Sequence, residues 1–164
     1  MKYTSIMRDL FELIRWNHWA KNVFVLAPLF FSGDYYDISN AAQALKAFFI
    51  FCLFSSCVYI FNDLLDYEAD SAHKKKRLRP LPSGRISKPM AVLILSIMFI
   101  SACLLLYTLR MPINFIYVVL LYTLINLVYS TGLKHIPLLE LILVSSGFVL
   151  RLVGGGEALS IGLS

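Results

Sequence analysis

Residues 89–109 read PMAVLILSIMFISACLLLYTL and residues 111–133 read MPINFIYVVLLYTLINLVYSTGL, with Arg110 between them and no charged side chain in either run. About 20 apolar residues in a helix cross the hydrocarbon core of a bilayer, so both runs, Pro89–Leu109 and Met111–Leu133, are predicted to span it. Working outward, Ala41–Phe61 carries one charge, Lys46, whose long side chain can reach the headgroups. Upstream, the uncharged stretch 22–33 is too short alone. Extended back through Lys21, Trp19 and Trp16 to Phe11 it becomes a first span with its basic and tryptophan residues at the interface. A fifth candidate, Ile136–Gly154, is interrupted by Glu140 and Arg151, and its closing Gly154-Gly155-Gly156 is predicted to end the helix. The expected fold is all-α: a polytopic transmembrane bundle of about five helices, residues 1–164 forming a single transmembrane domain.

Composition agrees. Of 164 residues, 59% are hydrophobic and only 15% charged, and the mean hydropathy is +0.71. A soluble domain is nearer half apolar and a quarter charged, so the surplus has to face lipid. Disorder, collagen-like repeats and a nucleic-acid-binding arm are excluded on the same grounds. Lys+Arg 15 against Asp+Glu 10 gives +5, and the basic residues fall unevenly. Lys2, Arg8, Arg15 and Lys21 precede the first span. Lys74, Lys75, Lys76, Arg77, Arg79, Arg85 and Lys88 lie between spans two and three, and Lys134 and His135 between four and five. The alternate loops hold Asp34 and Asp37, or Arg110 alone. Positive-inside logic therefore places the N-terminus in the cytoplasm and the C-terminus outside. The first segment contains Asp9 and Glu12 and has no A-x-A site after Phe31, so it is read as a retained span and not a signal peptide. Cys52, Cys57 and Cys103 sit inside apolar runs with no CxxC spacing, which assigns them to packing.

Most of the polar information is concentrated between Tyr59 and Lys88. The segment begins Asn62-Asp63-Leu64-Leu65-Asp66-Tyr67-Glu68-Ala69-Asp70 and continues through Lys74-Lys75-Lys76-Arg77-Leu78-Arg79-Pro80 to Pro82-Ser83-Gly84-Arg85. At 100° per residue, Asn62, Asp63, Asp66 and Asp70 share an arc of about 100° with Tyr59, while Glu68 points away. Carboxylates crowded on one face call for a cation. Hard oxygen ligands without His or Cys favour Mg²⁺, which is commonly shared with substrate phosphates. The Arg/Lys cluster directly after it supplies guanidinium forks for the remaining oxygens of a diphosphate. For Lys74 and Lys75 a role as topology signals or anionic-lipid contacts is equally open.

Asn-Asp-x-x-Asp-x-x-x-Asp followed by Lys-Arg-x-Arg-Pro resembles the first aspartate-rich motif of the UbiA-type polyprenyl transferase superfamily. His18-Trp19-Ala20-Lys21-Asn22, running on to Gly33, resembles its decaprenyl-phosphate phosphoribosyltransferase branch. Tyr129-Ser130-x-x-Leu133-Lys134 and Gly147-Phe148-Val149-Leu150-Arg151 resemble further family segments. Arg15-Trp16-Asn17 departs from the Arg-Pro-Lys usual in that branch. The resemblance implies a fold of about nine helices with a second aspartate-rich motif, so this chain looks like the N-terminal half. A fragment, a partner chain carrying the other half, and loss of activity are the three expectations it leaves open.

The resemblance also implies roles. Asn62, Asp63, Asp66 and Asp70 would hold Mg²⁺, with Asp63 and Asp66 catalytic, in a cytoplasmic loop spanning residues 62–88. Lys76, Arg77 and Arg79, with Lys21 and Lys134 from other helices, would bind phosphates, and Tyr59 and Tyr129 would line the pocket. The donor would be phosphoribosyl pyrophosphate and the acceptor a polyprenyl phosphate such as decaprenyl phosphate, in a bacterial-type cell membrane and feeding cell-wall assembly. Two other readings stay open. One is transfer of a polyprenyl group from its diphosphate to an aromatic or haem acceptor; the other is a non-catalytic membrane module or partner subunit. The CDP-alcohol phosphotransferases are set aside, because the upstream part of their motif is missing.

Overall fold

The computed structural model describes residues 2–132 and 137–160, with side chains from residue 6 and, in the last helix, from residue 141. Every regular element among them is helical. The central element is α3, Ile38–Leu65, whose first turn is capped by Asp37 accepting from the Ser39 N–H at 2.8 Å. Around it stand α5 (Lys88–Thr108), α6 (Ile113–Ser130) and α7 (Pro137–Leu159). Ser87 caps α5 by accepting from Met90 N–H, and Pro89 sits in its first turn, where a missing N–H costs nothing. α3, α5, α6 and residues 141–159 of α7 are each long and apolar enough to cross a membrane. These four match the expected spans to within a few residues at most ends. The protein is an integral membrane protein.

Two expectations are corrected. Gly154, Gly155 and Gly156 do not end the last helix, which runs on to Leu159. They lie inside it because neighbouring elements press against the backbone. A Cβ on Gly155 would collide with the Val25 carbonyl, and one on Gly154 would lie 2.6 Å from Phe51 Cε2. In lipid, where apolar burial drives little helix association, small residues at the interface are the usual means of close packing. The second correction concerns the first span, which is not one α-helix. A short α1 (Lys2–Leu13) ends near Arg15, itself left-handed at φ 52, ψ 48; a 3-10 helix (Trp16–Leu26) follows and passes into α2 (Ala27–Ser32). The 3-10 helix rises about 2.0 Å per residue, so Trp16–Ser32 extends about 31 Å, enough for the roughly 30 Å core.

The 3-10 helix is pinned from two sides. Trp19 Nε1 donates to Ser56 Oγ at 3.0 Å, and Ser56 Oγ donates to the Ile14 carbonyl at 2.8 Å. Fully buried Asn22 donates to Ser55 Oγ at 3.1 Å and to Cys52 Sγ at 3.2 Å, and accepts from Arg151 Nε at 2.6 Å. Arg151 also donates to the Gly147 carbonyl and, at 2.9 Å, to Tyr122 Oη. A charged side chain in a membrane bundle is costly unless its donors are engaged, and here neutral dipoles from the 3-10 helix, α6 and α7 engage it. Arg151 thus meets side-chain partners on two other elements, the 3-10 helix and α6; the Glu140 side chain lies outside the described residues. Beside this polar knot, Phe51, Phe115 and Tyr122 interlock edge-on at 5.5–5.9 Å. A second apolar cluster, Leu13, Ile60, Leu81, Ile86 and Ala91, fastens α1 and the basic loop to the end of α3. Cys52 and Cys57 are buried and Cys103 faces outward on α5; all three are free thiols.

Candidate functional site

At the charged end of α3 the helix breaks at Asp66 (φ −87, ψ 7) and restarts as α4, Tyr67–Ala72. The hydrogen-bond ladder crosses the break: Asp66 N–H bonds the Asn62 carbonyl at 2.9 Å and Asp70 N–H the Asp66 carbonyl at 2.8 Å. The acidic residues therefore keep a common face. Asp63 and Asp70 point inward with side chains 3% exposed; Asn62 and Asp66 are half-buried, and Glu68 is exposed, as its opposite phase requires.

The basic loop folds back over this face. His73 Nδ1 accepts from Lys75 N–H and Lys76 N–H, a 3-10 turn covers Lys76–Leu78, and the Ile86 N–H to Pro80 carbonyl bond at 3.0 Å closes the Pro-Ser-Gly turn, with Gly84 at φ 76. Buried Leu81 anchors the turn. Arg79 is thereby aimed at the acids: Nη1 stands 2.6 Å from Asp70 Oδ2 and 3.3 Å from Asp63 Oδ1. Lys76 Nζ lies 3.2 Å from Asp70 Oδ1. Arg15, reaching in from the first segment, pairs with Asp63 Oδ1 and lies 4.8 Å over the Tyr59 ring, whose face meets His18 edge-on at 5.0 Å. Three cations face two carboxylates. Beside them opens a cavity of about 360 Å³ lined by residues 11, 12, 15, 17 and 18, by Asp63, and by the loop residues Lys75, Leu78, Arg79 and Pro80. A small cavity with excess positive charge suits an anion.

Of the residues singled out from sequence, Asp63, Asp70, Lys76, Arg79 and Tyr59 come together. Asn62 and Asp66 stay on the same face. Arg77 and Lys21 are exposed and do not line the cavity. Tyr129, half-buried, is near the end of α6, and Lys134 lies outside the described residues. Sequence reasoning gave no site role to Arg15, counted there among the topology charges, or to Glu12, Asn17 and the ring of His18. The departure at Arg15-Trp16-Asn17 and the resembling segment that begins at His18 marked the place. It also passed over a clamp. Arg85 pairs with Asp9 and, at 2.8 Å, with Glu12, and donates to the Leu78 carbonyl at 2.8 Å, so that α1 is tied to the loop.

For a metal, no three acidic, histidine or cysteine side chains among the described residues converge into a closed cage. Mg²⁺ does not require one: it is usually held by one or two carboxylates, with waters and substrate phosphates completing the shell. Asp63 and Asp70 already share a single cationic nitrogen, that of Arg79, so the donor set fits a divalent ion shared with a phosphorylated ligand.

The profile of the UbiA prenyltransferase family matches residues 23–163. A decaprenyl-phosphate phosphoribosyltransferase of Mycolicibacterium smegmatis is 37% identical over 98% of this chain and 51% of its own length. Its counterpart in Corynebacterium glutamicum is 34% identical over 98% of this chain and 49% of its own. The chain spans about half the length of the curated relatives it matches. Among solved structures, one described as digeranylgeranylglyceryl phosphate synthase in membranes superposes with a TM-score of 0.81 at 22% identity, over 94% of this chain and 53% of that one. That likeness concerns the fold.

Proposed function

The chain belongs to the UbiA prenyltransferase family, and from that premise we propose that it supplies the first half of the active site of an intramembrane transferase. The reaction would move a phosphoribosyl group from phosphoribosyl pyrophosphate to a polyprenyl phosphate such as decaprenyl phosphate. The observation that carries the reading is the convergence of Arg15, Lys76 and Arg79 on Asp63 and Asp70 beside a cavity at the end of a membrane helix. Similarity to phosphoribosyltransferases along the chain supports this donor over a prenyl diphosphate.

In this reading Asn62, Asp63, Asp66 and Asp70 would hold Mg²⁺, whose charge would favour departure of the pyrophosphate from the sugar C1. Arg79 and Lys76 turn from carboxylate to phosphate oxygens when the donor enters, Arg79 offering a planar fork and Lys76 a point charge. Arg15, stacked on Tyr59, pairs with the same Asp63 oxygen as Arg79, so the carboxylate stays oriented while Arg79 changes partner. The transition state at C1 is oxocarbenium-like and is stabilised by fixed charges in place before reaction. The lipid phosphate attacks from the membrane side, its tail along the apolar helices. The basic loop and α1 face the cytoplasm by the positive-inside rule.

The test is transfer of labelled phosphoribosyl pyrophosphate to polyprenyl phosphate by membranes carrying the protein in the longest form its gene encodes. Product that requires Mg²⁺ and is lost in Asp66→Ala is the expected result. Consumption of a prenyl diphosphate instead would favour the prenyl-transfer reading. Turnover of neither would favour a non-catalytic module.

A further inference from the structure

We propose that the wall of the cavity contributed by α1 and the start of the 3-10 helix is a hydroxyl-reading subsite, in which Glu12, Asn17 and His18 recognise the sugar of a water-soluble sugar diphosphate. The inference rests on the reading of the site given above and deepens it, because it assigns the part of the donor that is not phosphate. The cavity is bounded by α1, the 3-10 start, the basic loop and the tip of α3, and so lies at the charged end of the bundle, not along its spanning helices. A prenyl donor needs a long apolar sleeve next to its diphosphate, and this lining offers only Phe11, Leu78 and Pro80. The rest is charged or polar.

Glu12 is the informative residue. A carboxylate on the wall of an anion cavity repels phosphate, so its useful partner there is a neutral group that donates hydrogen bonds. Carboxylates commonly accept from ribose hydroxyls in this way. Glu12 is held in place for such a contact, since Arg85 Nη2 grips Oε2 at 2.8 Å, and Arg85 is itself fixed by Asp9, the Leu78 carbonyl and Ser83 Oγ at 3.1 Å. Asn17 is exposed and brings both a donor and an acceptor. His18 supplies the independent sign. Its Nδ1 is, among the described residues, the buried side-chain atom left without a hydrogen-bond partner. Unsatisfied groups of this kind mark places where a ligand or water completes the structure. His18 itself lines the cavity, and a hydroxyl-bearing ring between Arg79 and this wall would supply the missing partner once the imidazole turns Nδ1 toward it.

The experiment compares binding of phosphoribosyl pyrophosphate, inorganic pyrophosphate and farnesyl diphosphate to the protein in lipid nanodiscs with Mg²⁺, by calorimetry. Phosphoribosyl pyrophosphate is expected to bind about tenfold more tightly than pyrophosphate, the worth of one or two hydrogen bonds. Farnesyl diphosphate should gain nothing over pyrophosphate. Glu12→Gln, which keeps an oxygen for Arg85, and Asn17→Leu, at an exposed position, should each erase several-fold of the sugar's advantage, while pyrophosphate affinity stays within twofold in Asn17→Leu and is unchanged or raised in Glu12→Gln, which removes a negative charge from the wall. Equal affinities for the first two ligands, or parallel loss of both in the variants, would overturn the subsite and leave the diphosphate site standing. Failure of either diphosphate to bind would sink the site reading itself, and the subsite with it.

Discussion

Arg79 holds the candidate site in register, because one of its nitrogens lies within 3.3 Å of both Asp63 and Asp70. A lysine would keep the charge but, with one ammonium in place of a planar fork, could not serve the two acids and a phosphate from separate nitrogens. Arg79→Lys is therefore expected to leave folding intact and lower transfer about tenfold to a hundredfold, with most of the loss in kcat, as read by steady-state assay of the Mg²⁺-supplemented enzyme. Asp63→Asn should cost more, about a hundredfold or greater, because it removes a metal ligand and leaves Arg15 and Arg79 without their shared carboxylate. Membrane insertion, followed by carbonate extraction, should not change; loss of insertion would make Asp63 structural. The acids were legible in the sequence because their spacing obeys a helical period over nine residues. Arg15 was not, since it reaches Asp63 across 48 positions and no local pattern carries such a contact.

At the scale of elements, α3, α5, α6 and α7 could be read directly from uncharged length, the strongest signal a bilayer imposes. The winding of the first segment could not. Whether residues 16–26 coil as 3-10 or α depends on what grips them, and that grip comes from Ser55 and Ser56 on α3 and Arg151 on α7, far away in sequence. The glycine triplet was misread for the same reason: glycine marks a helix end when solvent surrounds it and a close approach when another backbone does. Two variants measure this. Gly155→Ala places a methyl against the Val25 carbonyl and should lower stability by about 1–3 kcal/mol, a few degrees in Tm for a chain of this size. Asn22→Leu strips Arg151 Nε of its acceptor and should cost about 1–3 kcal/mol. Thermal unfolding in detergent, followed by tryptophan fluorescence, reads both; unchanged Tm values would mean that the 3-10 helix does not depend on this contact.

For the whole molecule, the number of crossings follows from two contacts and one length. α3 spans the membrane, so Asp34, just before it, and Ser83, in the loop beyond its other end, lie on opposite sides. The Arg85 clamp on Asp9 and Glu12 ties α1 to the same side as Ser83. The chain from Trp16 to Ser32 must then pass through the bilayer, which its 3-10 rise allows and an ordinary α-helix of 17 residues, about 26 Å long, would barely manage. Single cysteines at exposed Arg8, Asp34 and Ser83 in sealed vesicles test the argument with a membrane-impermeant maleimide. Cys52 and Cys57 are buried and Cys103 sits within α5, so background labelling should be low. Arg8→Cys and Ser83→Cys are expected to react together from the cytoplasmic side, and Asp34→Cys only from the other. Labelling of positions 8 and 34 from one side would remove the first crossing, and with it the wall of α1 and the 3-10 helix that completes the cavity over Asp63.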